Sequence, residues 1–190
     1  MIQIIGIDPD IDKSGVCIIV HNKVELFNFN MPTLFNTFFK NLQAQQESNF
    51  TLKTEVYVEA GFLNNHYFQP LKSSTFVIAK INRNIGENHA CAKIIIEMGN
   101  AFNLNIIPCY PVTSTNYRSR GKKITHPQFL QMLQRNNLNY YGESSNQESR
   151  DAALLAVTYG LNKEYHESNN ILNNRNVKSI KFEDKSFCTD

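Results

Sequence analysis

The 190-residue chain lacks long apolar runs, paired cysteines and any strong net charge. No stretch approaches the roughly 18 uninterrupted apolar residues that cross a bilayer, so no membrane-spanning helix is expected. The opening MIQIIGIDPD has no basic segment and turns acidic at Asp8. A signal peptide is therefore not expected, and the chain reads as cytoplasmic. Its four cysteines, Cys17, Cys91, Cys109 and Cys188, form no C-x-x-C pair and have no histidine at ligand spacing. Reduced thiols rather than a zinc site follow. What is abundant is aromatic: 13 Phe and 8 Tyr supply a packed core and exclude wholesale disorder. The length suits one domain.

A local absence is more informative than the global ones. Residues 98–142 contain no acid but five basic residues, Arg118, Arg120, Lys122, Lys123 and Arg135. Four of these fall in RSRGKK. A net charge of +2 thus conceals a concentrated basic loop, while acids in the N-terminal half stand singly at strand ends. Taken alone the loop is as readily a solvated surface. Together with isolated carboxylates it suggests a polyanion held beside a metal-binding acidic site.

Residues 2–7 are apolar almost throughout, as in a strand buried on both faces. DPDIDKSG breaks the run, residues 16–20 form a second strand, and a turn at His21-Asn22-Lys23 leads into a third over 24–29. Short connections make these three antiparallel. Asn30-Met31-Pro32-Thr33 is a helix entry, with Leu34, Phe35, Phe38, Phe39 and Leu42 at helical spacing. After a polar link over 43–54 comes a strand ending at Glu59. Two helices are expected over 71–82 and 88–102, the second presenting Ala92, Ile95, Ile96 and Gly99. A strand follows at 105–109. Thr125 caps a helix carrying Pro127, Phe129, Leu130 and Leu133. A last helix runs over 148–161 with Ala152, Leu155, Ala156 and Tyr159 inward. Residues 162–190 read as a polar, flexible tail. The 25 Asn are read as a coding bias rather than a mechanism. The result is an α/β domain over residues 1–161: a mixed five-stranded sheet, three antiparallel strands then two parallel, flanked by helices.

Four carboxylates are conspicuous by placement. Asp8 ends the first strand and Glu59 the fourth. Glu148 and Asp151, three apart at the start of the last helix, share a face. Each has an ordinary reading, as turn former, strand-end charge or first-turn acid. Convergence of all four would need a cation, for which Mg²⁺ is the natural choice.

GIDPD…SG, YVEAGF and ESRDAALLA, in this order and spacing, resemble the RuvC family of Holliday junction resolvases over residues 2–161. The resemblance implies a ribonuclease H-like fold, which the element order fits independently. It further implies four acids, Asp8, Glu59, Glu148 and Asp151, holding two Mg²⁺ ions (Mn²⁺ as substitute) for phosphodiester hydrolysis in opposed strands of a four-way DNA junction. Asp8 would bridge both ions. Phe62 matches an aromatic used against bases at the opened junction centre. Lys122 or Lys123 matches a basic residue near the scissile phosphate, Lys123 being taken as catalytic, with Arg118 and Arg120 as further DNA contacts. Paired cuts require two sites and hence a homodimer. Three departures stand out: Asp10 where the family has Gly, Glu148 for its Asp or His, and a basic loop that aligns only with a gap. The competing readings are another ribonuclease H-like nuclease acting on branched DNA or RNA–DNA hybrids, and a catalytically inactive junction-binding module.

Overall fold

In a computed structural model the structure describes residues 2–48, 52–64, 75–112 and 122–161. Strands β1 (Ile2–Asp8), β2 (Ser14–Val20) and β3 (Lys23–Phe29) form the expected antiparallel meander. The β2–β3 turn places His21 and Asn22 at φ 47° and 62°. Two successive positive-φ residues match the right-handed twist of a two-residue hairpin. Helix α1 (residues 31–48) starts where Asn30 Oδ1 accepts the Thr33 N–H at 2.9 Å, passes through a π-helical stretch at Leu34–Phe39 and ends at Ser48. It is longer than the sequence reading because Gln, Ala and Glu in the expected link are good helix formers.

Strand β4 (Lys53–Glu59) pairs parallel with β1, and β5 (Ile106–Cys109) parallel with β4. Among the described residues between them, one α-helix, α2 (Thr75–Ala101), takes the place of the two expected, and residues 71–74 of the first lie outside the described residues. The expected break is bridged by an Arg83–Glu87 pair at 2.7 Å, one helical turn apart. Helix α3 (His126–Arg135) begins as expected at Thr125, whose N–H donates to Gln128 Oε1 at 2.9 Å. A short β6 (Asn139–Tyr140) pairs parallel with Lys23–Val24, so among the described residues the sheet has six strands rather than five. Two paired residues are too few to show alternation in sequence. Helix α4 (Gln147–Leu155) continues as π-helical turns at Ala156–Leu161.

The strand order is β5-β4-β1-β2-β3-β6. Cores form on both faces, which is why β1 is apolar throughout. Ile5, Ile7, Val16, Val56 and Val58 meet α1 and α2 through Leu34, Phe39 and Ile95. Ile4, Cys17, Ile19 and Tyr57 meet α3 and α4 through Phe129, Met132, Ala152 and Leu155. With only 8 glycines, asparagine takes left-handed positions: Asn103 and Asn137, at φ 54° and 53°, follow α2 and α3. Part of the Asn excess is therefore structural. Cys17, Cys91 and Cys109 are buried free thiols; Cys188 and the tail over 162–190 lie outside the described residues. No described helix is long and apolar enough to cross a membrane.

Candidate active site

Side chains alternate across a strand, so Asp8 shares a face with Ile4 and Gly6, and Glu59 with Glu55 and Tyr57. The β1–β4 register sets Ile7 beside Val58, so the two acids emerge next to each other at the carboxyl ends of parallel strands. That is where open α/β sheets place their ligand crevice. Ile4 and Tyr57 belong to the core under α4, so Asp8 and Glu59 turn toward that helix.

Two glycines bring α4 to them. A Cβ on Gly6 would lie 2.1 Å from the Ala152 carbonyl oxygen, and one on Gly15 2.2 Å from the Glu148 carbonyl. Gly15 is the strand partner of Asp8. The helix start is thus seated backbone to backbone on the strand pair that carries Asp8, an approach only glycine permits. Asn146 caps the helix, accepting the Ser149 N–H at 2.9 Å. Glu148 then falls in the first turn and Asp151 one turn on, where Asp151 is buried.

The four carboxylates feel one another. Burial, then the charges of Glu59, Asp151 and Glu148, push the Asp8 carboxyl well above the usual carboxylate range, against the lowering influence of Lys123. The Lys123 Nζ donates to Asp151 Oδ2 at 2.7 Å. Burial works against that ammonium, but the bond and the charges of Asp151, Asp8 and Glu59 prevail and raise its pKa. Gln147 Nε2 donates to the same Asp151 oxygen at 3.1 Å. Lys122 is exposed beside it.

A cleft of about 140 Å³ opens over Asp8 and Glu59, walled by Pro9, Gly61, Ile85, Asn88, His89 and Pro111. Phe62 stands at its side, half-buried in the turn Gly61–Leu63. Its ring meets His89 edge-on at 6.3 Å, and the Lys93 ammonium lies 5.4 Å from its centroid. Burial and then Lys93 hold the His89 imidazole below its ordinary value. Asp10, the departure from the family pattern, closes a local turn: its Oδ1 accepts the Asp12 N–H at 2.9 Å.

Whether this set suits a metal is a question of donor chemistry. Among the described residues no group of three or more His, Cys, Asp or Glu side chains is placed to hold a metal ion. Mg²⁺ does not need one: it is held by one or two carboxylates and keeps water and phosphate oxygens as its other ligands. All four acids offer hard oxygen donors, and the mutual charge that raises Asp8 is what a cation would relieve. The residues fit such an ion.

Arg118 and Arg120 lie outside the described residues; Lys123 is joined to the acids through Asp151. Gln147, Asn88, His89 and Arg150 were missed in sequence. For Gln147 and Arg150 a signal existed, since both lie within one turn of Asp151 on the same helix. Gly6 and Gly15, inside strands, marked close backbone approach.

No protein-family model matches the chain, and no curated protein matches its sequence. Among solved structures it is similar to T. thermophilus RuvC in complex with Holliday junction substrate, at 12% identity and a TM-score of 0.46, over 86% of this chain and 96% of that one. It is likewise similar to the Thermus thermophilus RuvC structure, at 12% identity and a TM-score of 0.45, with the same coverage.

Proposed function

We propose that residues 1–161 form a Mg²⁺-dependent DNA endonuclease that resolves four-way junctions by paired nicks, working as a homodimer. The observation that carries this reading is the convergence, at the carboxyl ends of β1 and β4, of Asp8 and Glu59 with the start of α4 and Lys123. The order of motifs in the sequence supports it from a separate direction.

In this reading Asp8, Glu59, Glu148 and Asp151 hold the divalent ions, Mn²⁺ being able to substitute. Such ions, when bound, activate water for attack on the phosphodiester and stabilise the leaving oxygen. The chain's own residues do the rest. Asp8 stands buried among other acids, and a cation there would relieve their mutual repulsion. Lys123 offers its ammonium to the charge that develops on the phosphate. Arg118, Arg120 and Lys122 contact the DNA backbone, and Phe62, held by His89 and Lys93, lies against a base at the junction centre. Two opposed cuts need two copies of the site, related by a twofold axis.

The test is cleavage of an end-labelled synthetic four-way junction with and without Mg²⁺, beside linear duplex of the same sequence and Asp8→Asn protein. Paired metal-dependent nicks, absent for the duplex and the variant, are expected. Junction binding with no cut under any divalent ion, on randomised junction cores, would replace this reading with a binding module.

A further inference from the structure

Arg150 lies between the two helix acids in sequence but turns away to Ile124, to Ser145 and to Gln147 at the start of its own helix. Its Nε donates to the Ile124 carbonyl at 2.9 Å. Its Nη1 donates to the Ser145 carbonyl and, at 3.3 Å, to Ser145 Oγ. Its Nη2 donates to Gln147 Oε1 at 3.0 Å. The other end of the Gln147 amide donates to Asp151 Oδ2 at 3.1 Å, and that same oxygen receives Lys123 Nζ at 2.7 Å. Lys123 precedes Ile124 in the chain. The contacts close a ring: guanidinium, Ile124 backbone, Lys123, Asp151, Gln147, guanidinium.

We propose that Arg150 is a positioning residue, touching no substrate, that sets Lys123 and Asp151 against each other by holding the backbone behind one and the amide beside the other. The assignment of Lys123 to the phosphate rests on the proposed function; the clamp itself does not. A lysine side chain has several rotatable bonds, so where its ammonium sits depends on how well its backbone is fixed. The buried Ile124 side chain sets the depth of that segment, and the Arg150 bond sets the direction of its carbonyl. Only a planar fork with several donors serves Ile124, Ser145 and Gln147 at once. Gln147 and Arg150 stand three apart, and Gln147 and Asp151 four apart, so helical geometry delivers both links on one face. Ser145 ties the ring to α3 as well, through a 2.7 Å contact with His126 Nδ1.

Two readouts on the full-length chain test this. Amide hydrogen exchange, measured without metal or DNA, should quicken about tenfold over residues 122–125 in Arg150→Met while β1 stays unchanged, because the segment loses its anchor. Multiple-turnover junction cleavage should fall about 10- to 100-fold in kcat with little change in KM, as a misplaced group loses its effect in the transition state only. The same substitution in a Lys123→Met background should cost several-fold less than in the wild-type chain, since residues acting through one another are non-additive and only the share carried by Asp151 then remains. Arg150→Lys, able to reach one acceptor, should recover part of the rate. If Arg150→Met does not fold, Gln147→Leu opens the ring at its other side and should lower kcat in the same direction. Unchanged exchange over residues 122–125, or an equal loss with and without Lys123, would overturn the clamp. A wild-type chain that cuts no branched DNA, yet loosens at residues 122–125 on Arg150→Met, would overturn the proposed function and leave the clamp standing.

Discussion

The two faces of the sheet are packed by opposite means. On one, α1 and α2 rest on phenylalanines: Phe39 is fully buried and meets Phe35 at 5.6 Å, Phe38 at 6.1 Å and Phe102 at 6.1 Å between ring centroids. On the other, α4 lies on Gly6 and Gly15 with Ala152 and Ala156 between, close enough that a single methyl group would collide with its backbone. Large rings fill space through many weak contacts and can shift rotamer when one is lost. Backbone-to-backbone seating has no such slack. The acids stand on the second face, and the contrast explains why: carboxylates from separate segments can share a field only if the segments are fixed to fractions of an ångström.

Asp8→Asn is expected to have the largest effect on activity. Losing the charge at the centre of the acidic group should lower junction cleavage at least about a thousandfold. Binding measured with Ca²⁺ in place of Mg²⁺ should change little, because phosphate contacts dominate affinity. Cleavage by Asp8→Asn within tenfold of wild type would remove the proposed metal role. Next comes Phe39→Ala on the opposite face. It should cost about 3–5 kcal/mol of stability in a urea titration, yet leave cleavage per folded molecule within about twofold. Gly15→Ala should reverse that pattern. The overpacking costs about 1–3 kcal/mol, less than the lost phenylalanine. By moving the start of α4 it should nevertheless cut activity by more than about tenfold. Equal activity losses for Phe39→Ala and Gly15→Ala would erase the distinction between the faces.

Which face was legible in the sequence follows from the same contrast. Apolar runs announced β1 to β4, and with them Asp8 and Glu59, because a strand's end is where its alternation stops. Helical spacing gave α4 and placed Glu148 and Asp151 on one turn. Seating by glycine leaves no periodic signal, so the approach of the Glu148 backbone to Gly15, the strand partner of Asp8, had to be seen. Lys122 and Lys123 are adjacent and chemically alike; only the backbone path, fixed by Ile124 and Arg150, turns one of them to Asp151. Arg150 itself reads in sequence as a solvated charge between two acids. Strand β6 was too short to detect, and α2 crossed its expected break because an exposed Gly86 costs a helix only about 1 kcal/mol. The basic loop that first pointed to a polyanion places Lys122 and Lys123 in the described structure, with Arg118 and Arg120 outside it.

The smallest expected effect sharpens the comparison most, because it asks whether the acidic face is under tension before any substrate arrives. The Asp8 carboxyl is raised by burial and by its neighbours, so the folded chain holds its proton more tightly than the unfolded one. Its contribution to stability is fully present below the unfolded value of about 3.9 and is lost as pH rises through the raised folded value. As pH rises without metal, the cost of ionising this buried group therefore counts against folding. Asp8→Asn, inactive by the first prediction, should accordingly melt about 2–4 °C higher than wild type in EDTA at pH 8, and the gap should close at pH 4. Millimolar Mg²⁺ should raise the wild-type midpoint and leave that of the variant nearly unmoved, since an ion that binds only the folded acids stabilises by mass action. A phenylalanine-face variant such as Phe39→Ala should respond to Mg²⁺ as wild type does, from a lower midpoint. If Asp8→Asn melts lower than wild type at both pH values, Asp8 is a structural hydrogen-bonding residue of the strand end and the acids carry no strain for a cation to relieve.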